Sequence, residues 1–322
     1  MSTQRHVLAD LQATRTTNAG LWLDKFIRDQ PPKDKEARRD LVKQVSEIPV
    51  PEDYSRWFGR WRQTLKDSGA ETREAEVRGR MAIGLGEESV LETSVTLHHT
   101  YGVPCIPGSA LKGLAASFAR QHLSNDWQEG TVAYTTVFGN TKTEGYITFF
   151  DALPLPSTDI LLHADVITVH HKKYYQDGSA PPADWDDPNP VPFLSATGKY
   201  LVALAGPSGW INAAYEILKH ALSHAGVGAK TSSGYGRLTL SPPLVDLEQA
   251  KADTVIAGIE ALKPLEVAGR IQAFHELWRK LEVSPTQKRR VAEAIVTKVK
   301  EARREKQSRD KEWYKELLAT LQ

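Results

Sequence analysis

Gly226-Val227-Gly228-Ala229-Lys230-Thr231-Ser232-Ser233-Gly234-Tyr235-Gly236-Arg237 joins two segments of different period. Before it, Ile211, Tyr215, Leu218 and Leu222 form one stripe of a helix running from about Ile211 to Ala225, which Gly226 ends. After it, Tyr235 to Leu240 reads as a strand. Four glycines in eleven residues allow positive φ and a close approach of backbone to a ligand. Lys230, Thr231, Ser232 and Ser233 sit between them, so amides, hydroxyls and one ammonium can converge on an anion. The competing reading is a flexible helix-to-strand connection. A nucleotide P-loop does not fit. Ala229 replaces the glycine before the lysine, His224 stands where the leading glycine belongs, and the order is helix then strand. A dinucleotide fingerprint fails as well, because Thr231 occupies its third glycine position.

Upstream, Ile106-Pro107-Gly108-Ser109 leads into a second helical stripe of Leu111, Leu114, Ala115, Phe118 and His122, with Ser109 as the expected N-cap. Gly108 permits close approach, Ser109 offers a hydroxyl, and Lys112 lies one turn in. The helix N-terminus adds free N–H groups and a partial positive charge. This is either a second phosphate site or a simply capped helix. Strands are expected at Val77 to Leu85, Val95 to His99, Tyr146 to Phe150, Leu161 to Val169 and Lys199 to Leu204. The order strand, helix, strands, helix, strand predicts an α+β, ferredoxin-like (RRM-like) core over residues 74–245. Such a core can bring both phosphate candidates near one sheet edge. Proline-rich loops interrupt it at Pro154 to Thr158 and at Ala180 to Pro190, the latter carrying Trp185 as a candidate interface anchor.

Residues 1–73 and 246–322 read as helical extensions. Pro285 to Lys311 holds ten Lys or Arg against four acids, which could bind RNA phosphates but reads rather as a solvated helix face or a dock for an acidic neighbour. Arg56-Trp57-Phe58-Gly59-Arg60-Trp61-Arg62 could stack bases. The spacing of Trp57 and Trp61 reads instead as burial on one helix face.

The 322 residues are 40% hydrophobic and 25% charged, with a formal net charge of +1. Bulk charge therefore does not announce a nucleic-acid partner, and what matters is where the charges sit. A single cysteine, Cys105, rules out an internal disulfide. Met1 to Leu11 holds no apolar signal core, and no run approaches the roughly 20 apolar residues that span a bilayer. A cytoplasmic location is expected. No cofactor and no metal is expected, since Cys pairs and H-E-x-x-H spacing are absent. Asp184, Asp186 and Asp187 lack calcium-loop spacing. His98, His99, His170 and His171, with Lys172 or Lys230, could in principle serve metal-free RNA cleavage. Adjacent strand residues face opposite sides, however, so neither pair makes a site alone.

Gly226 to Gly236 resembles the glycine-rich loop of the RAMP superfamily of CRISPR-associated proteins. Gly84 to Thr93, Leu97-His98, Tyr101 to Pro104, Ile106 to Gly113, Asp165 to His170, Tyr174-Tyr175 and Pro181 to Pro190 resemble, more narrowly, the family of sixth Cmr subunits of type III-B CRISPR-Cas effectors. The resemblance covers about residues 80 to 240. It implies a non-catalytic subunit at the end of the effector's backbone, capping the 3′ side of the guide CRISPR RNA in antiviral defence. The implied partners are the guide RNA, target RNA in the assembled complex, the repeated backbone subunit, the small helical subunit and the first RAMP subunit. It places RNA contacts on Gly108, Ser109 and Lys112, and on Gly228, Lys230, Thr231, Ser232 and Tyr235. The backbone reading of the loop adds Gly226 and Gly234. One departure is Ala115, where many relatives carry a basic residue. The rival readings are a RAMP-type endoribonuclease that processes CRISPR RNA and a protein-only assembly scaffold.

Overall fold

Three helices lead into the first strand: α1 (Ala19–Lys25), α2 (Ala37–Ser46) and α3 (Glu52–Asp67). The computed structural model describes residues 11–27, 36–89, 91–169, 178, 181, 189–242 and 247–321. Asn18 caps α1, its side-chain oxygen accepting from the Leu21 N–H at 3.0 Å. α3 starts behind Pro51 and buries Tyr54, Phe58 and Leu65 on one stripe.

Strand β1 spans Glu71–Val77, upstream of the Val77 to Leu85 run read from the sequence. Its buried set is Arg73, Ala75 and Val77. Arg73 is 4% exposed, and its guanidinium lies 4.1 Å from the Tyr215 ring centroid and 3.6 Å from a Glu216 carboxylate oxygen. A cation in the inward set breaks the apolar alternation that marks a strand, which moved the reading downstream. Beyond Val77, Gly79 and Gly84 take positive φ, and Met81 and Ala82 make only single bridges, to Ala196 and Ala229.

The remaining elements of this part are α4 (Gly108–His122), α5 (Val132–Phe138), β2 (Thr148–Phe149), β3 (Leu153–Pro154), β4 (Leu162–Val169), β5 (Asn189–Ala196), β6 (Lys199–Ala205), α6 (Ser208–His224) and β7 (Leu238–Leu240). The sheet runs β2-β6-β1-β7, antiparallel throughout, and β3 also pairs with β6. Central β1 pairs Glu76 with Lys199 on one side and Ala75 with Leu240 on the other. With α4 and α6 as the two crossing helices, this is the ferredoxin-like order expected from the sequence. β4 and β5 form a separate two-stranded ribbon against which α2 packs. The expected strand at Val95 to His99 is reduced to one bridge, Leu97 to Pro104. α4 begins two residues earlier than the sequence suggests: its N-cap is Pro107, not Ser109.

β6 is the core of the sheet. Tyr200 to Leu204 are each at most 1% exposed, so both faces of the strand are covered. Tyr200, Val202 and Leu204 join Ala75, Leu111, Ala115, Tyr215 and Leu218 in the cluster that includes α4 and α6. Leu201 and Ala203 join Leu153 and the α3 residues Tyr54, Phe58 and Leu65 in a second cluster. The sheet is thus the middle of three layers.

The chain divides into two compact units, Met1–Pro243 and Leu244–Gln322. The second consists of α7 (Leu247–Glu260), α8 (Val267–Lys280), α9 (Pro285–Glu301), α10 (Glu305–Ser308) and α11 (Glu312–Leu321) around its own core of Val267, Ile271, Trp278, Val291, Ile295 and Leu317. Several of its basic residues are engaged within the unit. Arg290 pairs with Asp253 at 2.9 Å, Lys298 donates to the Glu260 carbonyl at 2.9 Å, and Arg289 donates to the Leu321 carbonyl at 2.7 Å. Among the described residues, no helix is long and apolar enough to cross a membrane.

Candidate nucleic-acid interface

The 226–237 loop splits into a neck and a tip. In the neck, Val227 N–H donates to the Gly236 carbonyl at 2.8 Å, Gly236 N–H to the Arg80 carbonyl at 2.8 Å, and Ala229 N–H to the Ala82 carbonyl at 2.7 Å. Gly226 (φ 80°), Gly228 (φ 86°) and Gly236 (φ 71°) all lie in the left-handed region. A Cβ on Gly236 would collide with the Val227 carbonyl oxygen, and one on Gly228 with the Ala82 carbonyl oxygen. These glycines exist so that two backbones can touch. Gly226 is buried behind them and ends α6.

The tip is different. Lys230 is exposed and left-handed (φ 59°, ψ 28°), a conformation rare for a residue with a Cβ. A single tight turn, Thr231–Ser233, follows, and then Gly234 (φ 90°) with open space around it. Ser232 and Ser233 are exposed and Thr231 is half-buried. The N–H groups of Thr231 and Ser232 have no partner among the described residues. Lysine, hydroxyls and free amides therefore share one small exposed turn on a fixed base, which suits an anion.

Two arginines stand behind this tip. Arg237 reaches the Thr231 carbonyl with Nη2 at 3.4 Å, while its Nη1 is buried without a hydrogen-bond partner. Arg80 donates to Ser195 Oγ at 3.3 Å. Tyr235 is half-buried, its hydroxyl donating to Asp165 Oδ2 at 2.8 Å and its ring 6.0 Å from Phe193. Burial, helped by that bond, raises the Tyr235 pKa. Burial lowers the pKa of nearby His163, and the Arg80 charge adds to the effect.

The 108–112 segment has another logic. Gly108 is buried, and a Cβ there would collide with the Phe149 carbonyl oxygen. Its N–H donates to Asp151 Oδ1 at 2.8 Å, so the protein's own carboxylate already occupies the leading amide of α4. Ser109 is exposed and Lys112 half-exposed, and both line a groove of about 550 Å³ shared with the 138–149 segment. No residue of the 226–237 loop lines this groove. The segment is anchored to β2, whereas the glycine-rich loop leads into β7, and these are opposite edges of the sheet. The expectation that both candidates meet at one edge is therefore corrected. Lys142 of the groove and Arg80 carried no sequence signal, because each lies in a loop far along the chain from the motif it joins.

His98 packs between Trp57 (4.9 Å between centroids) and Tyr101 (5.5 Å). Its Nδ1 is buried without a hydrogen-bond partner, and burial lowers its pKa. It is a member of an aromatic cluster rather than of a histidine pair. His170, His171, Lys172, Trp185, Asp184, Asp186 and Asp187 lie outside the described residues. Trp57 and Trp61 are half-buried and stack in parallel, 6.0 Å apart at 9°. Among the described residues, no group of three or more His, Cys, Asp or Glu could hold a metal ion.

Residues 74–239 match the family model of the RAMP superfamily. Over 245 residues the chain is 31% identical to CRISPR system Cmr subunit Cmr6 of Pyrococcus furiosus, covering 58% of this chain and 72% of that protein. It is 26% identical over 162 residues to CRISPR system CMR subunit Cmr6 of Saccharolobus solfataricus, covering 47% of this chain and 55% of that one. A chain in the cryo-EM structure of the type III-B Cmr-beta complex bound to cognate target RNA matches the fold with a TM-score of 0.53 at 24% identity, over 64% of this chain and 72% of that chain. A ferredoxin-like sheet, a glycine-cinched loop in the expected place and these matches agree: the chain belongs to the RAMP superfamily and stands among the Cmr6 subunits of CRISPR systems.

Proposed function

We propose that this chain is a non-catalytic backbone subunit of a type III-B CRISPR (Cmr) effector complex that binds guide RNA and caps its 3′ end. The observation that carries this reading is the exposed Lys230 to Gly234 turn on a neck closed by backbone hydrogen bonds. Such a turn suits a phosphate and reads no base, which fits a subunit that must accept guides of any sequence. The face of the sheet that would stack bases in an RRM is covered by α3, which leaves the connecting loops to meet RNA. The solved structure of similar fold belongs to a complex bound to target RNA, which supports the partner class. Its neighbours in this reading are the repeated backbone subunit, the small helical subunit and the first RAMP subunit. A catalytic role finds no support at His98, whose ring is enclosed by aromatics.

The test is filter binding of labelled single-stranded RNA across a salt series, with the wild-type chain beside Lys112→Ala/Lys230→Ala. Removing two phosphate contacts is expected to weaken binding and to flatten the plot of log affinity against log salt by about 1.4. An unchanged affinity and slope would remove both sites from the RNA surface.

A further inference from the structure

α5 ends at Phe138, and the chain returns to β2 through the loop of residues 139–147. Gly139 (φ 73°) and Gly145 are pressed together: a Cβ on Gly139 would stand 2.5 Å from the Gly145 nitrogen. Inside the loop, the Asn140 side-chain oxygen accepts from the N–H groups of Lys142 and Thr143, each at 2.8 Å. The Asn140 N–H donates to the Thr143 carbonyl at 2.8 Å. The loop is therefore a closed turn that holds Lys142 in a defined place.

That place is one wall of the groove of about 550 Å³ whose other wall is Ser109 and Lys112 of α4. The volume lies within the roughly 300–1,000 Å³ range of ligand clefts. Lys112 and Lys142 come from segments about 30 positions apart, and neither makes an ion pair among the described residues. The one carboxylate lining the groove is Glu144, so two ammonium groups face a single acid. Asp151 already satisfies the Gly108 amide, so what the groove offers an incoming group is ammonium and hydroxyl, the latter from Ser109, Thr141 and Thr143. That set suits the phosphates and sugar hydroxyls of a nucleic-acid backbone. An acidic peptide would want an exposed apolar anchor in the groove. The large apolar residues that line it, Phe138, Ile147 and Phe149, are buried or half-buried.

We propose that this groove is a second phosphate channel for single-stranded RNA, in which Lys142 clamps the strand from the wall opposite Lys112. The proposal rests on the guide-RNA-binding reading and adds to it a binding residue and a strand path along the β2 edge, away from the glycine-rich loop.

The experiment compares the full-length chain with Lys142→Ala, Lys112→Ala, Lys230→Ala and Glu144→Gln in single-stranded RNA binding across a salt series. A urea denaturation curve for each variant confirms an unchanged fold. Lys142→Ala is expected to weaken binding and flatten the salt dependence by about 0.7, as for one lost phosphate contact on a single strand. Glu144→Gln is expected to tighten binding. Wild-type affinity in Lys142→Ala, with Lys112→Ala and Lys230→Ala weakened, would overturn the clamp while leaving the parent reading intact. Loss in none of the three lysine variants would overturn the parent reading itself. Competition by polyglutamate as effective as by RNA of equal charge would also overturn the proposal, because the groove would then be a dock for acidic protein.

Discussion

On one face of the sheet, β6 sends Tyr200, Val202 and Leu204 towards α4 and α6; on the other it sends Leu201 and Ala203 towards α3. The two faces are closed in matching ways. Tyr215 of α6 donates its hydroxyl to the Glu71 and Val202 carbonyls at 2.7 and 3.0 Å. Tyr54 of α3 donates to the Pro154 carbonyl at 2.6 Å. Burial raises the pKa of both phenols, so each stays a donor. An RRM leaves the second face open and stacks bases on its aromatics. Here the strand residues of that face are aliphatic and are covered by α3. The fold therefore does not say where RNA goes, and the polar, exposed groups that could hold it are displaced to the loops at the two sheet edges.

The largest test of this contrast uncovers the second face. Phe58→Ala is expected to cost about 3–5 kcal/mol in chemical denaturation, as for other buried aromatics. It should gain no RNA affinity, because the surface beneath is Leu201 and Ala203. An RNA-binding gain in this variant would break the comparison. The next test separates neck from tip in the glycine-rich loop. Gly236→Ala puts a Cβ into the Val227 carbonyl at positive φ and is expected to cost about 3 kcal/mol. Gly234→Ala meets only open space and pays the φ term alone, about 1 kcal/mol. Equal costs at the two positions would show that the neck is looser than its hydrogen bonds imply.

The smallest effect is one of pH. His98 and His163 are both pushed down from the ordinary value of 6.5, chiefly by burial, with Asp151 acting against the shift at His98. Folding disfavours their charged forms. Their contribution to stability is therefore complete above pH 6.5 and is lost as the pH falls through the lowered native values. Urea midpoints of the full chain should fall between pH 7.5 and 5, and less so in His98→Gln. A midpoint that rises on acidification would place the opposite sign on these groups.

Much of the fold was legible because the apolar stripes of α4 and α6 recur at helical spacing and β6 is a continuous apolar run. What escaped did so for local reasons. β1 hides a buried Arg73 in its inward set, and only Tyr215 and Glu216, far along the chain, explain it. β5 carries Pro190 and Pro192, which lack the ladder donor and read as loop, yet a two-stranded ribbon tolerates them. α5 is rich in Val and Thr, which argues against a helix until its buried Tyr134, Val137 and Phe138 are seen. For the candidate interface, residue type marked two loops but not the division of labour within them. Gly108, Gly226, Gly228 and Gly236 meet backbone, while Ser109, Lys112, Lys230 and Ser232 keep surface open to solvent. Close approach to a ligand and close approach to a neighbouring backbone call for the same residue, and only coordinates separate them.

The neck that fixes the Lys230 tip ties residues 80–82 to residues 227–236, from opposite ends of the sheet's sequence. Contacts of such separation are slow to form, since the ends of a long loop must be brought together before the contact repays that entropy. A polypeptide still emerging from the ribosome therefore has the lysine but not the turn. The base of the turn is complete only once residues 80–82 and 227–236 have met. On the proposed reading, RNA bound at the turn would also recognise a finished domain, and by binding only that state would hold the domain closed. The guide strand would then serve as an inspector of its own scaffold, admitting to the assembly only chains that have completed their fold.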